Sequence, residues 1–174
     1  MEREVELREG NISLVLDSYD DLFSDFDPRD YSQKALSDDF LDECRRAARD
    51  KDAGVELRLL IPKKKRNLKD EEEIKKRMRN HFQKHFREKE TEIKGVKKQG
   101  ALWFALGTIF ILSAAYFYSK EGYFFNVLVV LLEPAGWFSF WEGLGKILIV
   151  SKEKNPDYEF YKKMNNAEIT FNNY

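Results

Sequence analysis

Residues 101–118, ALWFALGTIFILSAAYFY, form a stretch of eighteen residues without a charged side chain. A helix of this length measures about 27 Å, which matches the hydrocarbon core of a bilayer. The stretch therefore predicts a transmembrane helix. A second apolar stretch, residues 124–150, is interrupted only by Glu133, Pro134, Glu142 and Lys146, and its first eighteen residues can also span a membrane. The short link around Gly122 indicates that the two helices form a hairpin.

The charged side chains are distributed very unevenly along the 174 residues, although the net charge is only −1. Residues 1–50 carry 7 basic and 15 acidic side chains, residues 51–100 carry 17 and 9, and residues 101–150 carry 2 and 3. This distribution is typical of a membrane protein with a soluble part. The first ten residues are too charged for a signal peptide, so we expect the apolar block to direct its own insertion.

Basic residues flank the outer ends of the apolar block, whereas the central turn has a single lysine, Lys120, beside Glu121. By the positive-inside rule, both termini are expected in the cytoplasm, with the hairpin in the inner membrane of the cell. The single cysteine, Cys44, excludes an internal disulfide and fits a reducing compartment. The flanking basic residues are Lys94, Lys97, Lys98, Lys152 and Lys154.

The soluble part is predicted to be an α+β domain. Alternating residues on either side of a turn at residues 9–11 predict a β-hairpin, and residues 55–59 predict a further strand that ends at Pro62. Ser37 is expected to cap a helix with Phe40 and Cys44 on its apolar face. From Lys69 the pattern predicts about thirty residues of amphipathic helix leading into the membrane, with a bend at Gly95 and Gly100.

Residues 167–171 alternate as in a strand, which we expect to return to the same sheet. The predicted organisation is thus a cytosolic α+β domain at residues 1–98, a transmembrane helical hairpin at residues 99–150, and a cytosolic return segment at residues 151–174. Residues 101, 105, 108 and 115 form a stripe of small side chains on the first membrane helix, which favours close helix packing or self-association.

Glu133 and Pro134 stand in the middle of the second apolar stretch, where an ionisable group is costly. One hypothesis is a pore lined by Glu133, Asn126 and Trp137, with Pro134 and Gly136 as a hinge; since two helices cannot shield such a face, the pore would be a homo-oligomer. A second is that Glu133 holds helices together at a proline kink. A third is that the helix breaks at Pro134 and the following residues lie along the inner interface, with Glu142 paired with Lys146.

Lys63, Lys64, Lys65 and Arg66 form a basic run that would bind an anionic regulator. Three interpretations remain open: a nucleotide or nucleic acid, an anionic lipid headgroup, or a complement to the acidic residues of the same or a neighbouring chain.

No complete catalytic motif occurs, so we do not expect an enzyme, and no cofactor is expected. His81 and His85 are spaced to share a helix face but lack an HExxH pattern, and the aspartates of residues 17–27 do not match an EF-hand loop, so no metal site is assigned. Asp27 before Pro28 is interpreted as a helix cap.

Two motifs carry a resemblance. Residues 24–43 (SDFDPRDYSQKALSDDFLDE) and 131–147 (LLEPAGWFSFWEGLGKI) resemble a family of uncharacterised prokaryotic proteins that have a cytosolic domain and a two-helix membrane hairpin. The general layout is similar to membrane effectors of anti-phage defence of the Hailong type. That resemblance implies a ligand-gated ion channel, controlled by a nucleotide polymer that a partner enzyme makes.

The sequence therefore leaves two hypotheses about function. The first is an oligomeric inner-membrane channel or pore-forming effector, gated by its cytosolic domain through a nucleotide or oligonucleotide. The alternative is a non-conducting membrane-anchored adaptor or sensor that localises a partner-binding domain.

Overall fold

The computed structural model describes residues 11–49 and 56–174. The fold is mostly helical, with a small three-stranded parallel sheet and two long apolar helices. The chain divides into two compact units, Met1–Arg87 with Tyr158–Tyr174, called the sheet unit, and Glu88–Asp157, called the hairpin unit.

The sheet unit contains the strands β1 (Asn11–Val15), β2 (Glu56–Ile61) and β3 (Glu168–Asn173), in the order β1-β2-β3 and all parallel. Ile12 lies opposite Leu57, and Leu57 lies opposite Ile169, so one face of the sheet is apolar. The strand predicted after the turn is thus β1, although Asn11 belongs to the strand and not to a turn. The other half of the predicted β-hairpin, at residues 5–7, lies outside the described residues.

The helices are α1 (Asp38–Ala48), α2 (Leu68–Tyr118), α3 (Tyr123–Gly145), α4 (Ser151–Glu153) and α5 (Asn155–Asn166). Lys146–Val150 form a π-helical segment between α3 and α4, and short 3₁₀ turns occur at Tyr19–Leu22 and Lys63–Lys65. The long amphipathic helix and the first apolar helix are a single element, because α2 continues without interruption through Gly95 and Gly100.

The core of the sheet unit lies between the apolar face of the sheet and the helices α1, α2 and α5. Helix α1 begins after Ser37, as predicted, although the Ser37 side chain makes no capping hydrogen bond, and it buries Phe40, Cys44 and Ala48. Because apolar residues recur every four positions at the start of α2, that helix buries one continuous face. Its buried residues are Ile74, Met78 and Phe82, each with no exposed surface.

The predicted helix cap at Asp27 is wrong, since no helix begins at Pro28. Asp27 instead accepts the backbone N–H of Ala35 at 2.7 Å and forms a two-bond ion pair with Arg29. These hydrogen bonds hold the pKa of the Asp27 carboxyl well below its usual range. The aspartate therefore organises a loop across residues 24–35.

Candidate functional site

The two apolar helices of the hairpin unit, α2 and α3, run antiparallel and touch at the level of the backbone. A Cβ on Gly107 would lie 2.8 Å from the carbonyl oxygen of Gly136, and a Cβ on Gly143 would lie 2.7 Å from that of Gly100. Any side chain larger than hydrogen would push the helices apart. The glycines at 100, 107, 136 and 143 therefore allow this close packing.

The outer surface of this helix pair is strongly apolar. Of the eighteen most apolar consecutive residues in α2, only 17% are buried, and the share is 11% in the helical segment Tyr123–Glu153. Both helices are long and apolar enough to cross a membrane. The exposed side chains include Leu112, Val130, Leu131, Phe138 and Trp141.

The three residues predicted to line a pore share one exposed face of α3. Asn126, Glu133 and Trp137 are all exposed, as is Val130 between them, and their spacing of four, three and four residues puts them on one stripe. We call these four residues the α3 stripe. It does not face α2, because Gly136, Ser139 and Gly143 are the buried residues of α3.

Pro134 and Gly136, predicted as a hinge, lie within a continuous helix. The hypothesis of a break at Pro134 is therefore wrong, although the Glu142–Lys146 ion pair it included is present, at 3.0 Å. Gly136 has a definite packing role, since its position allows the backbone of Ile111 to approach α3. The hinge itself stays a prediction.

The predicted stripe of small residues on α2 is not the surface that meets α3. Ala101, Ala105 and Ala115 are exposed and Thr108 is half-buried, whereas Gly100, Gly107 and Ala114 are buried. Sequence reasoning missed this second set, although its spacing of seven residues was visible.

Where the hairpin unit begins and ends, four charged side chains of alternating sign connect α2 to the residues around the start of α5. Lys89 lies 3.3 Å from Asp157 and 3.4 Å from Glu92, and Lys154 pairs with Glu92. The hydrogen bond from Lys154 and the nearby charge of Lys89 lower the pKa of Glu92. We call these four residues the charge clamp.

In the sheet unit, two of the four residues predicted to bind a ligand, Lys65 and Arg66, make contacts within the chain. Arg66 forms two hydrogen bonds of 2.8 Å with the buried carboxylate of Glu71, and Lys65 donates to the carbonyl oxygen of Asp17. Lys63 and Lys64 are exposed. The interpretation of the run as a complement to acidic residues therefore gains support for Arg66, whereas Lys65 binds a backbone carbonyl and, among the described residues, no carboxylate.

Glu71 is the centre of this buried polar contact. The hydroxyl of Tyr19 donates to the carboxylate at 3.0 Å and accepts the backbone N–H of Asn67 at 2.8 Å. Burial by itself raises the pKa of Glu71, but the hydrogen bonds from Arg66 and Tyr19 outweigh it, so the pKa is lowered. The sequence offered no signal for the contact of Tyr19 with this network, because Tyr19 lies 48 residues before Asn67 and 52 before Glu71.

A polar groove of about 390 Å³ lies between the loop after Asp30 and the exposed side of α2. Its two cations are Lys76 and Arg77, and Arg77 is held in place because its Nε donates to the carbonyl oxygen of Lys34 at 2.9 Å. The groove is lined by Ser32, Gln33, Glu73, Lys76, Arg77 and Asn80.

His81 and His85 are neighbours, with ring centroids 4.4 Å apart, and His85 stacks on Tyr161. Burial, His85 and nearby cations lower the pKa of His81 to about 4, so this imidazole is neutral at physiological pH. Among residues 11–49 and 56–174, no three His, Cys, Asp or Glu side chains are grouped to hold a metal ion.

Comparison with models of protein families, with curated protein sequences and with solved structures finds no match to this chain. The resemblance to hairpin membrane proteins and defence effectors thus stays a hypothesis from the sequence.

Proposed function

We propose that this protein is an integral protein of the inner membrane, crossed by α2 and α3, with both termini in the cytoplasm. The low burial of both apolar helices supports this proposal, because a core helix of a soluble protein would be mostly buried. Aromatic side chains near the ends of the spans, such as Trp103, Tyr118 and Trp141, fit the interfacial belts of membrane proteins.

We further propose that the protein assembles into a homo-oligomeric channel. The observation that carries this proposal is the exposure of Glu133 on the α3 stripe, in the middle of an apolar helix. An ionisable group facing lipid costs several kcal/mol, so the stripe needs a polar or protein surface beside it. Other copies of the chain would supply one, and a ring of Glu133 carboxylates would favour cations.

In this channel the ion path runs between hairpins and not within one, because the glycine contacts bring α2 and α3 together at the backbone. The same contact favours the second candidate function, a non-conducting anchor for a partner-binding domain, since a compact hairpin needs no pore to be stable. Conductance that depends on Glu133 distinguishes the two.

As the regulator we propose an anionic nucleotide or oligonucleotide, made by a partner enzyme in a defence system. The groove with Lys76 and Arg77 offers two cations beside amide and hydroxyl groups, and Lys63 and Lys64 are exposed cations elsewhere in the sheet unit. Such a ligand opens the channel only if it binds the open and closed states unequally.

The test is cation flux from liposomes that contain the purified protein, with and without short DNA or RNA oligonucleotides. Glu133→Gln should change conductance or selectivity, whereas the matched control Glu121→Gln, in the turn between the helices, should not. Lys76→Ala should weaken the response to oligonucleotide. Folded, oligomeric protein without flux under every condition would replace the channel with the anchored adaptor.

A further inference from the structure

Helix α2 carries an apolar groove of about 310 Å³ on the side away from α3, which we call the α2 groove. It contains two side-chain hydroxyls, those of Ser113 and Tyr116, and the Ser113 hydroxyl has no hydrogen-bond partner among the described residues. Thr108 in α2 and Ser119 directly after it differ, because each donates to a carbonyl oxygen of α2. The groove is lined by Ile109, Leu112, Ser113, Tyr116 and Phe117.

Ser113 lies at nearly the same depth in the helix pair as Glu133. The level is fixed by the contact between Gly136 and Ile111, since a Cβ on Gly136 would lie 3.1 Å from the Ile111 nitrogen. Glu133 is three residues from this level and Ser113 is two, towards the same end of the antiparallel pair. At 1.5 Å per residue their depths differ by about 1.5 Å.

Ser113 and Glu133 lie on different surfaces of the same hairpin, so they do not contact each other. Each is a polar side chain in apolar surroundings that can still form a hydrogen bond. We infer that the α2 groove receives one edge of the α3 stripe of a second copy of this chain, with Glu133 accepting a hydrogen bond from the Ser113 hydroxyl where this contact borders the ion path. This inference rests on the proposed membrane insertion, and the complementary chemistry at matching depth identifies the occupant as another copy.

The two surfaces also predict the symmetry of the assembly. Because the α2 groove and the α3 stripe differ, the contact is head-to-tail, and every copy uses both surfaces. Copies inserted with the same orientation are related by an axis along the membrane normal. A head-to-tail contact around such an axis closes into a ring of three or more subunits, as a pore requires.

Cross-linking of the full chain in membranes tests this contact without altering Ser113 or Glu133. Val130 is exposed on the α3 stripe, six residues from Gly136. Tyr116 is exposed in the α2 groove, five residues from Ile111 and towards the same end of the helix pair. We expect a short bifunctional thiol reagent to join Tyr116→Cys in one copy to Val130→Cys in another. Cys44 should not react with the reagent, because burial raises the pKa of its thiol to about 12. The protein without added cysteines is the control for this residue.

In a mixture of the two single variants, cross-linked pairs should contain one of each, and the double variant should give a ladder that ends at the ring size. Leu131→Cys is the matched control, since Leu131 adjoins Val130 but points from another side of α3. Pairs formed by Val130→Cys alone, or equal cross-linking of Leu131→Cys, would overturn the head-to-tail contact.

A second measurement addresses the hydrogen bond itself. Ser113→Ala and Glu133→Leu should each weaken subunit association by roughly three- to thirtyfold, the range for interhelical hydrogen bonds in membranes, and the double variant should lose little more than either. Fully additive losses would overturn the pairing. A ring with cross-links but without flux would contradict the proposed channel alone, whereas flux with the wrong cross-links would contradict this inference alone.

Discussion

The carbonyl oxygen of Gly136 lies 2.8 Å from the point that a Cβ on Gly107 would occupy, so these two glycines bring α2 and α3 into backbone contact. Gly100 and Gly143 repeat the arrangement one heptad away. In a membrane, where apolar association with lipid competes with helix pairing, such close packing is a main source of helix–helix stability. The hairpin is therefore a preformed unit from which a larger assembly can be built.

Gly107→Ala should destabilise the hairpin, because its new methyl group would overlap backbone atoms of α3. An overpacking cost of about 1–3 kcal/mol is expected. The matched control is Gly95→Ala in the same helix, where a Cβ would meet no atom within 4 Å and the higher helix propensity of alanine should help. Thermal unfolding in detergent checks both variants, and equal midpoints would contradict the contact.

Glu71→Gln should destabilise the sheet unit, because it removes the ion pair with Arg66 from a site where the carboxylate is 3% exposed. The expected loss is about 1–3 kcal/mol, since the single oxygen of a buried glutamine side chain cannot accept both of the hydrogen bonds that Arg66 donates to the carboxylate. Glu72→Gln is the control, because that side chain is 76% exposed and its pair with Lys75 is on the surface. Hydrogen exchange of the β2 amides measures the difference; an equal effect of the two changes would show that Glu71 is not structural.

The stability of the sheet unit should fall as the pH is lowered from about 6.5 to 4. The pKa of His81 is lowered from 6.5 to about 4 in the folded chain, so the unfolded chain binds more protons in this window. Well above pH 6.5 both states are neutral at this position and the effect vanishes. His81→Phe should flatten the pH dependence of hydrogen exchange in this range, and an unchanged slope would assign the dependence to other groups.

Glu92→Lys should loosen the charge clamp, since it removes the partner of Lys154 and adds a second cation beside Lys89. Hydrogen exchange at residues 88–95 and 151–157 should become faster. Adding Lys154→Glu should restore much of the protection by reversing the pair. If the double variant exchanges as fast as Glu92→Lys alone, the contact between these two residues contributes little.

Much of the local structure could be predicted from sequence, because the signals are local. Ser37 before two aspartates marked the start of α1, the four-residue apolar spacing marked the buried face of α2, and alternation marked β2. The prediction at Asp27 failed because its carboxylate forms hydrogen bonds to Arg29 and Ala35 in a loop, which competes with capping a helix.

The sequence by itself determined that one charge-free stretch, and a second interrupted by Glu133, are long and apolar enough to span a membrane, because helix length and hydropathy depend only on the order of residues. Only the tertiary structure decided which surfaces remain free. It used Gly100, Gly107 and Ala114 to pack α2, leaving Ala101, Ala105 and Ala115 exposed. It also brought Tyr19 to the Glu71 carboxylate that Arg66 binds, and Asp17 to Lys65, so two of the four predicted ligand-binding cations make contacts within the chain. Such pairings depend on which distant segments pack together, and no local pattern encodes them.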